Sequence, residues 1–78
     1  MNGWKNYETW NLALHLGSDE ATVHKVRLAW RLRARFGSPY KALLKVLGRD
    51  FVTGDGVRIT DSRISRREIA ECIKELAA

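Results

Sequence analysis

ATVHKVRLAWRLRARF, from Ala21 to Phe36, is the stretch of sequence on which the predicted fold depends. It contains neither glycine nor proline and is rich in strong helix formers, so it is predicted to form the longest helix. At about 100° per residue, its apolar side chains fall on two opposite sides of the helix. One side carries Val23, Val26, Trp30 and Ala34, and the other carries Ala21, Leu28, Leu32 and Phe36. We therefore predict a central helix that is buried on both flanks.

A strip of basic side chains lies between these two apolar sides. It is shared by His24, Arg27, Arg31 and Arg35. On a continuous helix the three arginines, four residues apart, place their charged ends in a row roughly 12 Å long. Such a row can follow several phosphates of a nucleic acid or a line of carboxylates on a protein. The strip is therefore the first candidate binding surface.

The positive charge of the chain is concentrated in one window of the sequence. The net charge is +5, and the window from His24 to Arg49 contains eight cations and no acid. Seven of them are the candidate partner- or nucleic-acid-binding residues: Lys25, Arg27, Arg31, Arg35, Lys41, Lys45 and Arg49. This segregation creates a one-sided field, which favours a polyanion or an acidic protein surface as partner. The alternative is a solvated helix face that binds nothing.

Two more helices are predicted on either side of the central one. The first covers Tyr7–Leu16, with Asn6 as its N-cap and Gly17 after its end. Its apolar stripe is predicted to comprise Tyr7, Trp10 and Leu14, with Ala13 beside it. Ser18 is predicted to cap the central helix. A third helix covers Pro39–Leu47, with Ser38 as N-cap, and buries Tyr40, Leu43, Leu44 and Leu47.

The last part of the chain is predicted to form a hairpin and a final helix. Two short runs, Phe51-Val52-Thr53 and residues 57–60, lie on either side of the turn Gly54-Asp55-Gly56. This pattern favours a short β-hairpin over residues 51–60. Ser65-Arg66-Arg67-Glu68 then fits a capping box. The buried stripe of the final helix comprises Ile69, Cys72, Ile73 and Leu76. The predicted fold is mainly α: a small single-domain helical bundle of about four helices, spanning residues 1–78, with a short β-hairpin before the last helix.

Composition argues against several classes of function. One cysteine, Cys72, allows no internal disulfide and fits a reducing cytosol. No apolar run approaches the ~18 residues of a membrane span, and Met1–Lys5 has the character of a loose leader, not of a secretory signal. His15 and His24 are too few and too far apart for a metal site. We therefore expect no catalytic residues, no metal and no cofactor, and hence a protein that is not an enzyme.

The first helix carries a resemblance to a known family. Asn6-Tyr7-Glu8-Thr9-Trp10, followed by Ser18-Asp19-Glu20, resembles the opening of small proteins from phages, prophages and plasmids. The resemblance resumes at Thr53–Ser62 and covers about half of the chain, whereas the basic middle departs from the family pattern. It implies an origin on a mobile genetic element. By analogy with other small proteins of such elements, it implies a host-defence inhibitor of the anti-CRISPR kind.

Two functions therefore remain open. The first is a non-enzymatic interaction protein that uses its basic face to inhibit a nucleic-acid-handling defence complex of the host. The second is a direct, largely sequence-nonspecific DNA- or RNA-binding module. The helix-turn-helix-like joint at Phe36-Gly37-Ser38-Pro39 favours the second. The third helix offers only Tyr40, Lys41 and Lys45 to bases, so any such binding is expected to be to phosphate.

Overall fold

Five helices make up most of the structure in the described part of the chain, which is residues 3–78 of a computed structural model. They are α1 (Tyr7–Leu16), α2 (Glu20–Arg31), α3 (Arg33–Phe36), α4 (Pro39–Leu47) and α5 (Arg66–Ala77). The helix α2 packs mainly against α4 and α5, and α1 packs against α5. The mainly helical prediction is confirmed. Of the predicted leader, Met1 and Asn2 lie outside the described residues, and Trp4 packs against the core.

The predicted single helix over Ala21–Phe36 is wrong, because it breaks at Leu32. The break separates α2 from α3 and explains why five helices are present where about four were predicted. A continuous helix would join the Trp30 carbonyl to the Ala34 N–H. Instead, the Arg33 Nη1 donates to the Trp30 carbonyl oxygen at 2.7 Å. The start of α2 also differs from the prediction, since Asp19 is its N-cap instead of Ser18.

Only one flank of α2 is buried. Val26 and Ala29 are fully buried, and Trp30 packs half-buried against the core. On the opposite flank Leu28 is 39% exposed, and Ala21 is exposed as well. The prediction of two buried flanks is therefore wrong for α2 itself. Leu32 and Phe36, which were predicted on the second flank, lie beyond the end of α2 because of the break, and there they pack partly buried against the core.

The buried face of α1 is rotated away from the predicted stripe. Tyr7 is 42% and Leu14 51% exposed, and Trp10 is only half-buried. The buried residues are instead Thr9, Asn11, Leu12, Ala13 and Leu16. Two polar side chains therefore occupy the place where large apolar ones were expected. The predicted bounds of α1 and its Asn6 N-cap are confirmed.

The predicted hairpin over residues 51–60 is wrong. Within the described chain, this segment forms one isolated antiparallel bridge, between Val52 and Arg58. A turn closed by the hydrogen bond from the Asp61 N–H to the Arg58 carbonyl ends the pairing on one side. On the other side, Thr53 is buried and held by a side-chain hydrogen bond to α1. The segment is therefore a loop that is hydrogen-bonded to α1, and residues 51–60 contain no β-strand.

The helix α5 begins as predicted, but its capping box is only half formed. The Ser65 hydroxyl accepts the Glu68 N–H at 3.2 Å, which confirms Ser65 as the N-cap. In a full box the Glu68 side chain would accept the Ser65 N–H. Here that N–H donates to the Thr9 hydroxyl at 2.8 Å, and Glu68 accepts the backbone N–H of Lys5 at 2.9 Å. Hydrogen bonds with Thr9 of α1 and with Lys5 before it therefore take the place of the bond between Glu68 and the Ser65 N–H.

The Cys72 thiol is half-buried and packs against the core, as a small apolar side chain would. Burial and the nearby Glu75 carboxylate raise the pKa of Cys72 from 9.0 to about 11. Because the thiolate is the reactive form, about 100-fold less of it is present at pH 8 than for a free thiol. We expect iodoacetamide to alkylate the native protein at least about 100-fold more slowly than the protein in urea. Rates that agree within a few-fold, measured by mass spectrometry, would contradict this packing.

Candidate anion-binding surface

The strongest concentration of positive charge in the described structure surrounds a groove along α4. Lys41 and Lys45 lie one turn apart on that helix, and Arg49 follows its end. All three line a groove of about 430 Å³, together with Arg66 from the start of α5. Three of the seven predicted binding residues are therefore brought together by one surface feature. Each of the three side chains is exposed to solvent.

Tyr40 forms a rigid part of the groove wall. Its side chain is only 4% exposed, and its hydroxyl donates to the Ile59 carbonyl at 2.6 Å. The Arg66 guanidinium lies over the ring, 5.1 Å from its centroid. Burial raises the pKa of the Tyr40 hydroxyl, so the phenol stays protonated and keeps its hydrogen bond. Because its ring is covered, Tyr40 cannot stack on a nucleobase, and the groove offers charge in place of an aromatic platform.

Arg66 is a residue of the candidate surface that the sequence did not predict. It lies seventeen positions after Arg49, outside the basic window, in a segment where acids and bases alternate. The fold brings it to the groove because α5 packs against α4. The available signal was the Arg66-Arg67 pair directly after the Ser65 cap. Positive charges in the first turn of a helix interact unfavourably with the helix dipole. A pair of arginines at that position therefore indicates that at least one of them makes a contact outside the helix.

The arginines of α2 form a second, separate surface. Arg27 and Arg31 line a hollow of about 290 Å³ with His24, Trp30 and Ala77. The Nε of Arg27 also donates to the Leu76 carbonyl at 3.4 Å, near the end of α5. Arg27 is thus partly engaged in capping a neighbouring helix, which the sequence did not predict.

The remaining two candidate residues line neither feature. Lys25 and Arg35 are exposed on α2 and α3. The predicted row of Arg27, Arg31 and Arg35 assumed one continuous helix, and the break at Leu32 interrupts it. The predicted site is therefore divided into a groove on α4, a hollow on α2 and two isolated cations.

The cations of both surfaces form no ion pair with an acid in the described part of the chain. Within residues 3–78, the ion pairs join Arg63 to Glu8 and Asp61, and His15 lies within hydrogen-bond distance of Asp55. None of them involves a residue between His24 and Arg49. Arg33, which was not a candidate, is engaged otherwise, since its guanidinium lies 3.7 Å from the centroid of the Trp30 ring.

Polar residues of the Asn-Tyr-Glu-Thr-Trp segment fasten α1 to the last third of the chain. The Asn6 side chain accepts the Thr9 N–H at 2.9 Å and donates to the Arg63 carbonyl at 2.6 Å. Thr9 is fully buried, and its hydroxyl accepts the Ser65 N–H at 2.8 Å. These two residues therefore have architectural roles, which the resemblance alone did not reveal.

Asn11, directly after that segment, is the buried centre of a polar network that reaches the surface at Asp55. Its Nδ2 donates to Asp55 at 2.8 Å, and its Oδ1 accepts the Thr53 hydroxyl at 2.7 Å. Thr53 in turn accepts the Val57 N–H at 3.0 Å. His15 lies 3.1 Å from the same Asp55 oxygen. The Asn11 and His15 hydrogen bonds lower the pKa of Asp55, so its carboxylate remains ionised at neutral pH.

Two further features concern membranes and metal ions. No helix within residues 3–78 has the length and apolar character that crossing a membrane requires. In the same range, no group of three His, Cys, Asp or Glu side chains is placed to hold a metal ion.

Comparison with known proteins identifies a family, but that family has no assigned activity. No curated protein and no solved structure shows significant similarity to this chain. One family profile, described as a family of unknown function, matches residues 1–78. Because that match covers the whole sequence, the chain belongs to the family of unknown function DUF7249.

Proposed function

We propose that this protein is a non-enzymatic binding protein from a mobile genetic element. It acts in the cytoplasm of a bacterial host by binding and inhibiting a nucleic-acid-handling defence complex, as anti-CRISPR proteins do. The basic groove on α4 carries the binding. Its ligand is a phosphate-bearing or acidic surface of that complex.

The groove is the observation that supports this proposal. It combines four cationic side chains, three of them from consecutive turns of one helix and its end. The residues Lys41, Lys45 and Arg49 form no ion pair within residues 3–78, so no internal contact has to break when an anion binds. Tyr40 and Arg66 fix the wall, which lowers the entropy cost of ordering the site. Such a preorganised basic surface favours phosphates or carboxylates.

The inhibitory role rests on the resemblance to small proteins of phages, prophages and plasmids. Binding across the anion-handling surface of a defence complex would exclude its nucleic acid. Inhibition then needs affinity alone and no chemistry.

Capture from host lysate tests the proposal. We expect the immobilised protein to retain a nucleic-acid-handling complex that survives nuclease treatment. The groove variant Lys41→Glu/Lys45→Glu/Arg49→Glu should bind that complex at least about 100-fold more weakly, because three charge contacts are replaced by repulsion. The matched control, Arg27→Glu/Arg31→Glu/Arg35→Glu, carries the same charge change on α2 and α3.

The control distinguishes the two basic surfaces. Loss of capture with the groove variant alone supports the groove. Loss with the α2 and α3 variant alone would transfer the binding surface to the row of arginines predicted from the sequence. If both variants capture the same complex as the parent, the basic residues are a solvated face and the proposal is wrong.

The second candidate function is direct, sequence-nonspecific binding of DNA or RNA. The groove favours it too, since four convergent cations suit a phosphate backbone. The buried Tyr40 leaves mainly Lys41 and Lys45 of α4 to meet a nucleic acid, and lysines to phosphate carry no sequence information. Capture that disappears with nuclease, together with affinity for purified duplex DNA that falls steeply with salt, would favour this function over the first.

A further inference from the structure

A third surface lies between α1 and α5, and its character is opposite to that of the groove. Tyr7, Trp10 and Leu14 recur along one face of α1; Tyr7 and Leu14 are exposed, and Trp10 between them is half-buried. The Tyr7 and Trp10 rings are 5.8 Å apart at their centroids and tilted against each other. Contact between large apolar side chains and water is unfavourable, so a row of such side chains on a helix face indicates an interaction surface.

Two hollows next to this row give it depth. They have volumes of about 280 and 290 Å³ and share Trp4, Cys72 and Glu75 in their walls. Trp10 and Leu14 line the first of them. The floor is therefore apolar and aromatic, and it is contributed by two helices and the chain before α1.

Acidic side chains border the same hollows. Glu71 and Glu75 are exposed one turn apart on α5 and form no ion pair within residues 3–78. Glu68 lies beside them and accepts the Lys5 N–H, and Arg67 is the cation of this lining. In a chain with a net charge of +5, this border of three acids and one base is locally negative.

We propose that this acidic-apolar face binds an amphipathic, basic helix of a partner protein. Apolar side chains of that helix would occupy the hollows beside Trp10 and Leu14, and its lysines or arginines would meet Glu71 and Glu75. A groove beside two helices suits a helical ligand, whose anchors recur at three- and four-residue intervals. The surface is separate from the basic groove and does not depend on the function proposed for it.

Charge disfavours two other occupants. The phosphates of a nucleic acid would be repelled by Glu71 and Glu75. A symmetric dimer with these carboxylates close to its twofold axis would bring like charges together. A basic partner gains from both the apolar floor and the acidic border.

A designed peptide provides the test. The probe is an amphipathic helix of about 18 residues with leucine on one face and lysine on the other, long enough for five turns. In a two-dimensional ¹H–¹⁵N NMR titration, we expect saturable shifts at Trp10, Leu14 and Glu71, and none at Lys45. The variant Glu71→Lys/Glu75→Lys should weaken binding at least about tenfold, because two attractive contacts become repulsive.

The matched control reverses two acids that line neither hollow, Glu20→Lys and Asp50→Lys, and should bind like the parent. Glu71→Gln/Glu75→Gln, which removes the charges without reversing them, serves if the lysine variant fails to fold, and should also bind less tightly. Shifts elsewhere, no shifts up to about 1 mM peptide, or equal weakening in the control would overturn the proposal. So would self-association of the parent that Leu14→Glu abolishes. Failure here leaves capture through Lys41, Lys45 and Arg49 unaffected, so the two proposals can fail separately.

Discussion

Replacement of Tyr40 by alanine is expected to lower the free energy of unfolding by about 3–5 kcal/mol, the usual loss for a large buried aromatic side chain. The ring is 4% exposed, lies beneath Arg66, and joins α4 to the loop through the Ile59 carbonyl. A domain of 78 residues has a total stability of about 4–12 kcal/mol. The variant should therefore lose between a quarter and all of its stability, and circular dichroism during urea titration would report the change as a much lower midpoint.

Tyr40→Phe separates the hydroxyl from the ring. It keeps the packing but leaves the Ile59 carbonyl without its 2.6 Å hydrogen bond, so a loss of about 1–3 kcal/mol is expected. Anion affinity at the groove should survive this change, because Lys41, Lys45 and Arg49 remain in place. An alanine variant as stable as the parent would show that Tyr40 is not part of the core.

Replacement of Asn11 by alanine has the second large expected effect, a loss of about 2–4 kcal/mol. Asn11 is fully buried and contacts Thr53 and Asp55 of the loop at residues 51–60, as well as the Tyr7 hydroxyl at 3.4 Å. Without it, the Thr53 hydroxyl is buried without an acceptor, and the contact between His15 and Asp55 is the side-chain link that still joins the loop to α1. Urea denaturation gives the change in free energy, and hydrogen exchange of the Val57 N–H reports the loop directly.

A double-mutant cycle with Thr53→Val tests whether the two side chains act together. Valine has nearly the shape of threonine but no hydroxyl, so Asn11→Ala/Thr53→Val should lose less than the two single variants combined. Thr53→Ser, which keeps the hydroxyl, is the control and should lose little beyond one methyl group. Strict additivity in the cycle would mean that the hydrogen bond contributes nothing of its own.

Local signals in the sequence predicted the helix termini well. Asn6, Ser38 and Ser65 are N-caps as predicted, because a side-chain oxygen that accepts a nearby N–H acts within four residues. The break at Leu32 was missed because a stretch without glycine or proline gives no local warning. At the break, the Arg33 side chain donates to the Trp30 carbonyl, a contact that helical periodicity does not predict.

The buried residues of the helices and the residues of the candidate groove could be predicted only in part from the sequence. Hydrophobic periodicity assigned Tyr7, Trp10 and Leu14 to the core of α1, but partners distant in sequence select the face with Thr9 and Asn11. For the same reason, the charge window identified Lys41, Lys45 and Arg49, whereas Arg66 joined them only through tertiary packing. Composition locates charge along the chain, but it does not say which charges meet.

The hydrogen bonds between α1 and the last third of the chain have a consequence for the order of folding. Asn6, Thr9 and Asn11 find their partners 42 to 57 positions later in the sequence. Contacts of such long range require the closure of a large loop and slow the folding of an otherwise helical protein. During synthesis, α1 is made well before residues 53–65, which hold its hydrogen-bond partners. We therefore expect the native structure to form only after Ser65 has been added, and a chain that ends before Ser65 to remain unfolded.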